Sequence, residues 1–479
     1  MAFNGTGIPV IDEIGERLGL SPDFVCREFP LNPARSVYCI YLASVVSAEQ
    51  INEFIITPIV QLSQYKESPE DPMSLLKTMI PHAPLSELDD ASDGVRLLLE
   101  GHCLLLSSFD TPILSYELTN GEHRSVSEPT TEASIRGPRE GFVEDVSRNV
   151  ALIRKRLKSE RLIFEELIIG TETKTKVYLT YVANIAPPQV VDEFRKRLNA
   201  IHADSILESS YIEEWIQDTA VSPFPQLIAT ERPDSVVAQL LEGQVVVLTD
   251  GTPIALLGPV TFFQFFNSPE DYYQRADIAT LSRWLRLLAF ILSIFVPSLY
   301  ISVVSYHPEL LPNSLLISLA AQREEVPFPA FIEAGIMIVT FEILREAGLR
   351  MPRIAGQSIS IVGALVLGEA AVEAGLVSAA MVIVVSLTAI SNFVSPIYGF
   401  GIAQRIVQYG FMILSGLMGL FGLMCGVFLV LVHLASLRSF GVKYLTPVAP
   451  LNLSRWQDTL VRVPRYMMKR YSNRRLHNK

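Results

Sequence analysis

The sequence predicts an α/β N-terminal region built from two related α/β subdomains, followed by an α-helical multi-span membrane domain and a basic tail. Three observations predict this: charge is distributed unevenly along the 479 residues, residues 283–437 are apolar, and short sequence motifs, called words below, recur within residues 1–282. Residues 1–282 carry 22 basic and 41 acidic side chains, residues 283–437 carry 7 and 8, and residues 438–479 carry 10 and 1. The net charge of −11 and the mean hydropathy of +0.32 therefore average over three unlike segments.

The charge distribution favours some partners over others. The acidic N-terminal region lacks the clustered basic residues that phosphate contacts need, so nucleic acid is not an expected partner. The basic tail directly follows an apolar run, so membrane lipids with anionic headgroups are its expected partner. The cysteines form no Cys-x-x-Cys pair and the seven histidines stand singly, which predicts neither a metal site nor a disulfide framework.

No catalytic motif is found in the sequence. A phosphate-binding Gly-rich loop, a Gly-x-Ser-x-Gly elbow and a His-Glu-x-x-His pair are all missing, so we expect neither an enzyme activity nor a cofactor. Asp12, Glu13 and Glu16 lie where a cleaved signal peptide would need an uncharged core, so no such signal is predicted.

The two subdomains, about 20–120 and 140–265, are predicted from words that recur between them. Val-Tyr-Cys-Ile-Tyr-Leu-Ala at 37–43 is matched by Val-Tyr-Leu-Thr-Tyr-Val-Ala at 177–183, and Leu-Leu-Glu-Gly at 98–101 recurs at 240–243. Each half has the pattern of a short apolar strand, a helix and a Gly-flanked pair of strands, which is an α/β unit. Because the words are short, chance similarity is the alternative.

Residues 283–437 are predicted to form a transmembrane domain. Residues 287–306 form a run of 20 without a charge, the length that a helix needs to cross about 30 Å of hydrocarbon. Residues 326–344 and 354–377 carry two glutamates each, and Arg405 is the one charge from 374 to 437. Soluble cores do not string together several apolar stretches of this length.

Basic residues near the span ends set the predicted orientation. Arg283 and Arg286 at the first span place the region 1–282 in the cytoplasm, and the basic tail 438–479 belongs there as well. An even number of crossings follows, and the simplest arrangement has four. Five or six crossings stay open, because Arg405 could be buried in an oligomer. The spans are predicted near 287–306, 327–346, 355–376 and 406–436, with 310–321 and 379–396 as interfacial, re-entrant or extra spans.

Carboxylates inside apolar spans are costly to bury and mark functional positions. Glu369 and Glu373 lie four residues apart, hence on one helix face, and their helix is rich in small residues that can leave room around an axis. Such a face could replace part of a cation's hydration shell, and ion pairs with nearby arginines are the alternative. The ion-pathway candidates are Glu369, Glu373, Gly363, Val362 and Gly356. Secondary membrane candidates are Glu333, Glu342, Arg345 and Arg350, where Glu342 could simply pair with Arg345.

Several segments together resemble a known family. The block at 327–385 is PFPAFIEAGIMIVTFEILREAGLRMPRIAGQSISIVGALVLGEAAVEAGLVSAAMVIVV, and its most diagnostic part is EILREAGLR at 342–350. Further matches are RGPREGF at 136–142, SPEDYYQR at 268–275, PSLYISVVSYHPELLP at 297–312 and HLASLRSFGVKYLTPVAPL at 433–451. From about residue 24 to 452 the chain resembles the A subunits of bacterial spore germinant receptors, the GerA type of spore germination protein.

The resemblance implies a location, partners and a function. Such A subunits are expected in the spore inner membrane with a transporter-like B subunit, which binds the nutrient, and a lipoprotein C subunit. They are expected to form a homo-oligomer, a pentameric ring, whose membrane helices make a germinant-gated cation channel. A non-conducting scaffold subunit that transmits the signal is the alternative. A secondary transporter is less favoured, because it predicts an inverted repeat across the spans and none is found there.

Overall fold

The computed structural model describes most of the chain. The described residues are 6–19, 21–32, 35–63, 72–80, 85–88, 90–107, 113–118, 129, 132, 136–350, 368–451, 456, 458–464 and 466–467. They form two compact units. The first contains both α/β subdomains and comprises Met1–Asp218 and Leu227–Pro259, and the second comprises Thr219–Gln226 and Val260–Met468 and is mainly helical.

The first unit holds two five-stranded antiparallel sheets with one strand order. The first sheet runs β1-β2-β4-β5-β3 and the second β6-β7-β9-β10-β8. The strands are β1 (Phe24–Asn32), β2 (Arg35–Leu42), β3 (Leu85–Leu88), β4 (His102–Ser107), β5 (Ile113–Glu117), β6 (Leu162–Ile169), β7 (Thr175–Val182), β8 (Ile228–Thr230), β9 (Val245–Thr249) and β10 (Ala255–Gly258).

Helices cover these sheets. They are α1 (Pro9–Leu18), α2 (Ala48–Gln50), α3 (Thr57–Ser63), α4 (Pro72–Met79), α5 (Ala91–Glu100), α6 (Val146–Arg156), α7 (Pro188–Asn199), α8 (Ser209–Ile216) and α9 (Pro233–Leu241). In the first sheet α1 and α5 pack on one face, and the chain from Ile51 to Leu62 packs on the other. The inner strands β2 and β4 are therefore largely buried on both sides, which explains why their sequences are apolar without strict alternation.

The repeated words occupy equivalent places in the two sheets. The words at 37–43 and 177–183 form β2 and β7, the second strand of each sheet order. Each Leu-Leu-Glu-Gly ends a helix, and its glycine adopts a positive φ, +99° at Gly101 and +93° at Gly243. A Cβ at Gly243 would lie 2.9 Å from the Ile185 carbonyl oxygen, so both conformation and space require glycine there.

A buried ion pair joins the two subdomains of the first unit. The fully buried guanidinium of Arg154 on α6 donates from Nε and Nη2 to the two carboxylate oxygens of Asp23, at 3.0 Å each. It also donates to Ser21 Oγ at 2.8 Å and lies over the ring of Phe164. This bidentate geometry satisfies a charge that would otherwise be expensive to bury.

The second unit is built mainly from helices. Among the described residues its longer helices are α10 (Ala276–Tyr306), α11 (Asn313–Arg323), α12 (Ala330–Arg350), α13 (Ala379–Phe393) and α14 (Tyr398–Ser436), and a hairpin of β11 (Arg438–Ser439) and β12 (Val442–Lys443) follows them. Within the described ranges, α10 and α14 are the two helices long and apolar enough to cross a membrane by length and composition. The predicted span at 355–376 lies mostly outside the described residues.

The helix α10 begins earlier than the sequence predicts for the first span. The helix begins at Ala276, so Arg283 and Arg286 lie inside it and not before it. Both arginines pair with the buried carboxylate of Asp271, at 3.1 and 2.8 Å, and Arg283 also reaches Asp458 at 3.1 Å. Asp458 is the one acidic residue of the tail, so these contacts fix the tail to α10.

The helix α14 folds back on itself at Gly419. A straight helix of 39 residues would be about 58 Å long. Yet the rings of Phe400, near its start, and His433, near its end, lie 6.4 and 6.2 Å from the ring of Phe224. The helical path is broken at Gly419, where φ is +61° and ψ is −140°. The region predicted as one crossing, 406–436, is therefore two helical segments.

Glycines make this hairpin possible. A side chain at Gly422 would collide with the carbonyl oxygen of Leu414, so the two segments pack backbone to backbone there. A Cβ at Gly419 would lie 2.9 Å from the Tyr306 side chain at the end of α10. The spacing of these glycines is visible in the sequence, but the positive φ that reverses the chain is not.

The helix α10 runs parallel to the first segment of α14. Phe290, in the first half of α10, stacks on Phe400 at the start of α14. At the other end of α10 the Tyr306 hydroxyl donates to the Gly416 carbonyl at 2.5 Å. The two helices therefore lie side by side from the level of Phe290 and Phe400 to the reversal at Gly419.

The helix α12 runs antiparallel to that same segment. The ring of Phe331, near the start of α12, packs on Gly416. Further along α12, Glu342 accepts a hydrogen bond from the hydroxyl of Tyr409, which comes earlier in α14. Residue numbers thus rise in one helix as they fall in the other.

The helices α12 and α13 point the same way. Glu333, near the start of α12, binds Ser378 at the start of α13. Phe341, in the second half of α12, contacts the ring of Phe393 at the end of α13. These two contacts make α12 and α13 parallel neighbours.

Candidate functional site in the helical unit

The first of two polar clusters between the helices surrounds Glu333, whose side chain is 0% exposed. Its Oε1 accepts hydrogen bonds from Ser378 N at 2.6 Å and from Ser378 Oγ at 2.5 Å. Ser378 is the N-cap of α13, and its Oγ also accepts from Met381 N. The Arg323 Nε lies 3.9 Å from Glu333 Oε2. The carboxylate is thus stabilised by a helix N-terminus and a nearby cation, and it ties α11, α12 and α13 together.

The second cluster surrounds Glu342, nine residues after Glu333 on α12. Its carboxylate accepts from the Arg345 guanidinium in the same helix, from Arg405 Nη1 at 3.4 Å and from the Tyr409 hydroxyl at 2.9 Å. The sequence predicts the contact with Arg345 but not those with Arg405 and Tyr409. Arg405 is buried within the chain itself, so its burial needs no oligomer.

A cavity of about 750 Å³ lies beside this cluster, between α12 and α14. Its walls are mainly apolar, and Glu342, Arg345, Glu346 and Arg350 form its charged part. Arg350 pairs with Glu346 at 2.7 Å in the same helix. The secondary membrane candidates therefore lie in two places. Glu333 caps α13, whereas Glu342, Arg345 and Arg350 border this cavity.

Glu369 and Glu373 lie on a short helical turn at 368–373 and are both exposed. Neither forms an ion pair within the described part of the chain, so the predicted alternative of pairing with arginines such as Arg345 or Arg405 is not observed there. Gly375, with φ of +65°, follows this turn. The other pathway candidates lie outside the described residues, and they are Gly356, Val362 and Gly363.

Further polar contacts link the helices at other levels. The Gln404 side chain donates to Ser293 Oγ between α14 and α10, and Asn392 Nδ2 donates to Gln408 Oε1 at 3.3 Å between α13 and α14. No group of His, Cys, Asp and Glu side chains suited to a metal ion occurs among the described residues.

Sequence reasoning identifies the acidic members of these clusters and misses their partners. Ser378 lies 45 residues from Glu333, and Arg405 lies 63 residues from Glu342. The isolated charge of Arg405 in an apolar run is the one available signal, because a lone buried cation needs an anion.

The comparisons with known proteins agree with one another. The family model described as Bacillus/Clostridium GerA spore germination protein matches residues 12–473. Spore germination protein KA of Bacillus subtilis (strain 168) is 43% identical over 459 residues, which cover 95% of this chain and 84% of that protein. Spore germination protein B1 of the same organism is 37% identical and covers 97% and 96%. YfkQ, an uncharacterized membrane protein of that organism, is 41% identical and covers 94% and 87%.

Solved structures were compared as well. The N-terminal domain of the A subunit of the Bacillus megaterium spore germinant receptor GerK3 is similar, with 32% identity, a TM-score of 0.42, and coverage of 53% of this chain and 95% of that chain. The family match over nearly the whole chain, together with the relatives at 37–43% identity, shows that this chain belongs to the GerA family of spore germinant receptor A subunits.

Proposed function

We propose that the chain is the A subunit of a nutrient-sensing germinant receptor and that its helical unit forms a germinant-gated cation channel as a homo-oligomer. The observation that carries this proposal is the pair Glu369 and Glu373, which are exposed and have no ion-pair partner among the described residues of a mainly apolar helical unit. Exposed carboxylates in such a unit are costly unless they face water or a neighbouring copy. We propose no enzymatic activity.

The proposed topology has six crossings of the spore inner membrane, with the N-terminal region and the tail in the cytoplasm. The helices α10, α12 and α13 supply three crossings, and the two segments of α14 supply two more. Two parallel neighbours such as α12 and α13 need a connection that returns to the starting side, so we assign the sixth crossing to the predicted span at 355–376. An even number agrees with both ends lying on one side.

The proposed partners follow from the family. The B subunit, transporter-like and nutrient-binding, and the lipoprotein C subunit would complete the receptor, and a ring of five A subunits would enclose the pathway. Membrane lipids would surround the apolar faces of α10 and α14, where Leu288, Leu417 and Phe428 are exposed.

The test compares cation release from spores that carry single substitutions. Glu369→Gln removes one charge from the proposed pathway, and Gly363→Leu narrows it, so both should change the rate of nutrient-triggered potassium efflux while the receptor still assembles. Glu172→Gln is the matched control, because Glu172 is exposed in the turn between β6 and β7, outside the helical unit. Efflux rates equal to wild type in both variants would remove this segment from the pathway.

A non-conducting scaffold is the competing function. The Glu333 carboxylate joins α12 to α13 through Ser378 and lies beside Arg323 of α11, so it could transmit movement among three helices without an ion path. Under that function, assembled receptor in liposomes conducts no cations with nutrient present, and Glu369→Gln leaves potassium efflux unchanged.

A further inference from the structure

An exposed apolar stripe lies on α8 of the first unit. Tyr211 and Trp215 are one helical turn apart on the same face, and Leu207 precedes the helix. Their exposed fractions are 42%, 52% and 63%. Tryptophan and tyrosine are among the residues most enriched at the energetic centres of protein interfaces. We call these three residues the α8 stripe.

Acidic groups accompany the α8 stripe. Glu214 is exposed, lies three residues from Tyr211 and forms no ion pair among the described residues. Glu213 is partly buried, and burial together with the charges of Glu208 and Glu214 raises its pKa to about 7. Aromatic faces beside a carboxylate favour a partner with Lys or Arg side chains, through cation–π and ionic contacts. The same charges disfavour an anionic lipid surface.

The chain itself carries a segment of this chemistry. Residues 468–479, MKRYSNRRLHNK, hold five Lys or Arg residues and no Asp or Glu, with Tyr471 and Leu476 as apolar members. They lie outside the described residues, beyond Met467. Fully extended, twelve residues span at most about 40 Å, so the segment is long enough to cover the stripe.

The start of the tail contacts residues that follow α8 in the chain. The chain that follows α8 continues into residues 219–226, where Ser222 contacts His433 and the Pro225 carbonyl accepts from the Tyr444 hydroxyl at 2.7 Å. The basic tail, near its start, thus contacts residues that closely follow α8 in sequence. A tether within one chain raises the effective concentration of a weak ligand, up to the millimolar range.

We propose that the α8 stripe binds the basic C-terminal segment 468–479 of the same chain. The basic side chains contact Glu214 and the aromatic faces, and the apolar members cover Leu207. The end of the tail would therefore bind protein, whereas the sequence alone predicts that the basic tail binds lipid headgroups. The inference goes beyond the proposed channel function and uses none of the residues of the membrane pathway.

The experiment measures binding of a fluorescein-labelled peptide, residues 468–479, by anisotropy. The receptor chain is held in phosphatidylcholine nanodiscs, either intact or ending at Met467. The peptide should bind the truncated chain at least about tenfold more tightly than the intact chain, whose own tail occupies the stripe. Glu214→Lys and Trp215→Ala in the truncated chain should each weaken binding about tenfold.

The matched control is Glu100→Lys, which makes the same charge change at the exposed end of α5 in the other subdomain. It should change affinity less than about threefold. If the peptide binds the intact and truncated chains equally well, the chain's own tail does not occupy the α8 stripe and the proposal is wrong. If Glu214→Lys and Glu100→Lys weaken binding equally, the peptide does not bind at the α8 stripe. Binding to anionic nanodiscs without protein, and not to the truncated chain, would overturn the proposal and assign the segment to lipid.

Discussion

The buried pair of Arg154 and Asp23 offers a quantitative test of how the two α/β subdomains are held together. Replacing Arg154 with Met keeps most of the length of the side chain and removes its charge and five donors. Asp23 is then left buried without a cation, which costs about 3–5 kcal/mol. Arg17→Met is the control, because the Arg17–Glu160 pair also joins the subdomains but is about one third exposed and should contribute less than about 1 kcal/mol.

Hydrogen exchange of the β6 and β7 amides in the full chain measures this difference. A loss of about 3 kcal/mol corresponds to exchange about 150-fold faster, whereas the Arg17→Met control should change exchange less than about sixfold. Adding Asp23→Asn to Arg154→Met should recover part of the loss, since the uncompensated charge is removed. Equal protection in Arg154→Met and Arg17→Met would refute the reasoning.

The same pair gives a pH dependence. Burial opposes ionisation of Asp23, but the charge of Arg154 and hydrogen bonds from Arg154, Ser44 and Ser21 lower its pKa below the ordinary value. The folded state therefore binds this proton less readily than the unfolded state. The stabilisation is complete above about pH 4 and is lost as the pH falls through the lowered pKa.

Three further predictions concern other parts of the molecule. Gly422→Ala places a methyl group against the Leu414 carbonyl and should lower the thermal midpoint of the detergent-solubilised chain by several degrees. Gly410→Ala is the control and should leave the midpoint unchanged, because the added methyl group meets open space. Equal midpoints in the two variants would contradict the helical hairpin of α14. The raised pKa of Glu213 means that the folded state holds this proton more tightly than the unfolded state, so the wild-type chain should lose stability of order 2 kcal/mol as the pH rises from about 4.5 to about 7. Glu213→Gln should remove this pH-dependent loss. Hydrogen exchange of the α8 amides measures the loss, and parallel pH profiles for the wild type and the variant would contradict the prediction. Glu342→Gln should destabilise the helical unit more than Arg405→Gln, because it leaves two arginines without their anion; the reverse order in thermal midpoints would be inconsistent with this cluster.

The sequence is informative where a pattern is local. The apolar runs at 287–306 and 406–436 lie within α10 and α14, and the repeated words mark equivalent strands because each strand is one short stretch of chain. The glycine of Leu-Leu-Glu-Gly recurs because the residue that ends each helix has a positive φ, a conformation that glycine adopts most readily.

The sequence is uninformative where the determinant is a long-range contact or a single dihedral angle. The reversal at Gly419 depends on one positive φ among several glycines of similar spacing. The contacts of Glu333 with Ser378 and of Glu342 with Arg405 depend on packing that brings distant helices together. Periodicity carries no signal of either.

Cation conductance by reconstituted receptor tests the central claim most directly. The A subunit, assembled with its B and C subunits in liposomes, should release potassium when nutrient is added, and the double variant Glu369→Gln with Glu373→Gln should alter the rate or the selectivity among monovalent cations. A receptor that binds nutrient and assembles normally, yet releases no cations in its wild-type form, would contradict the account.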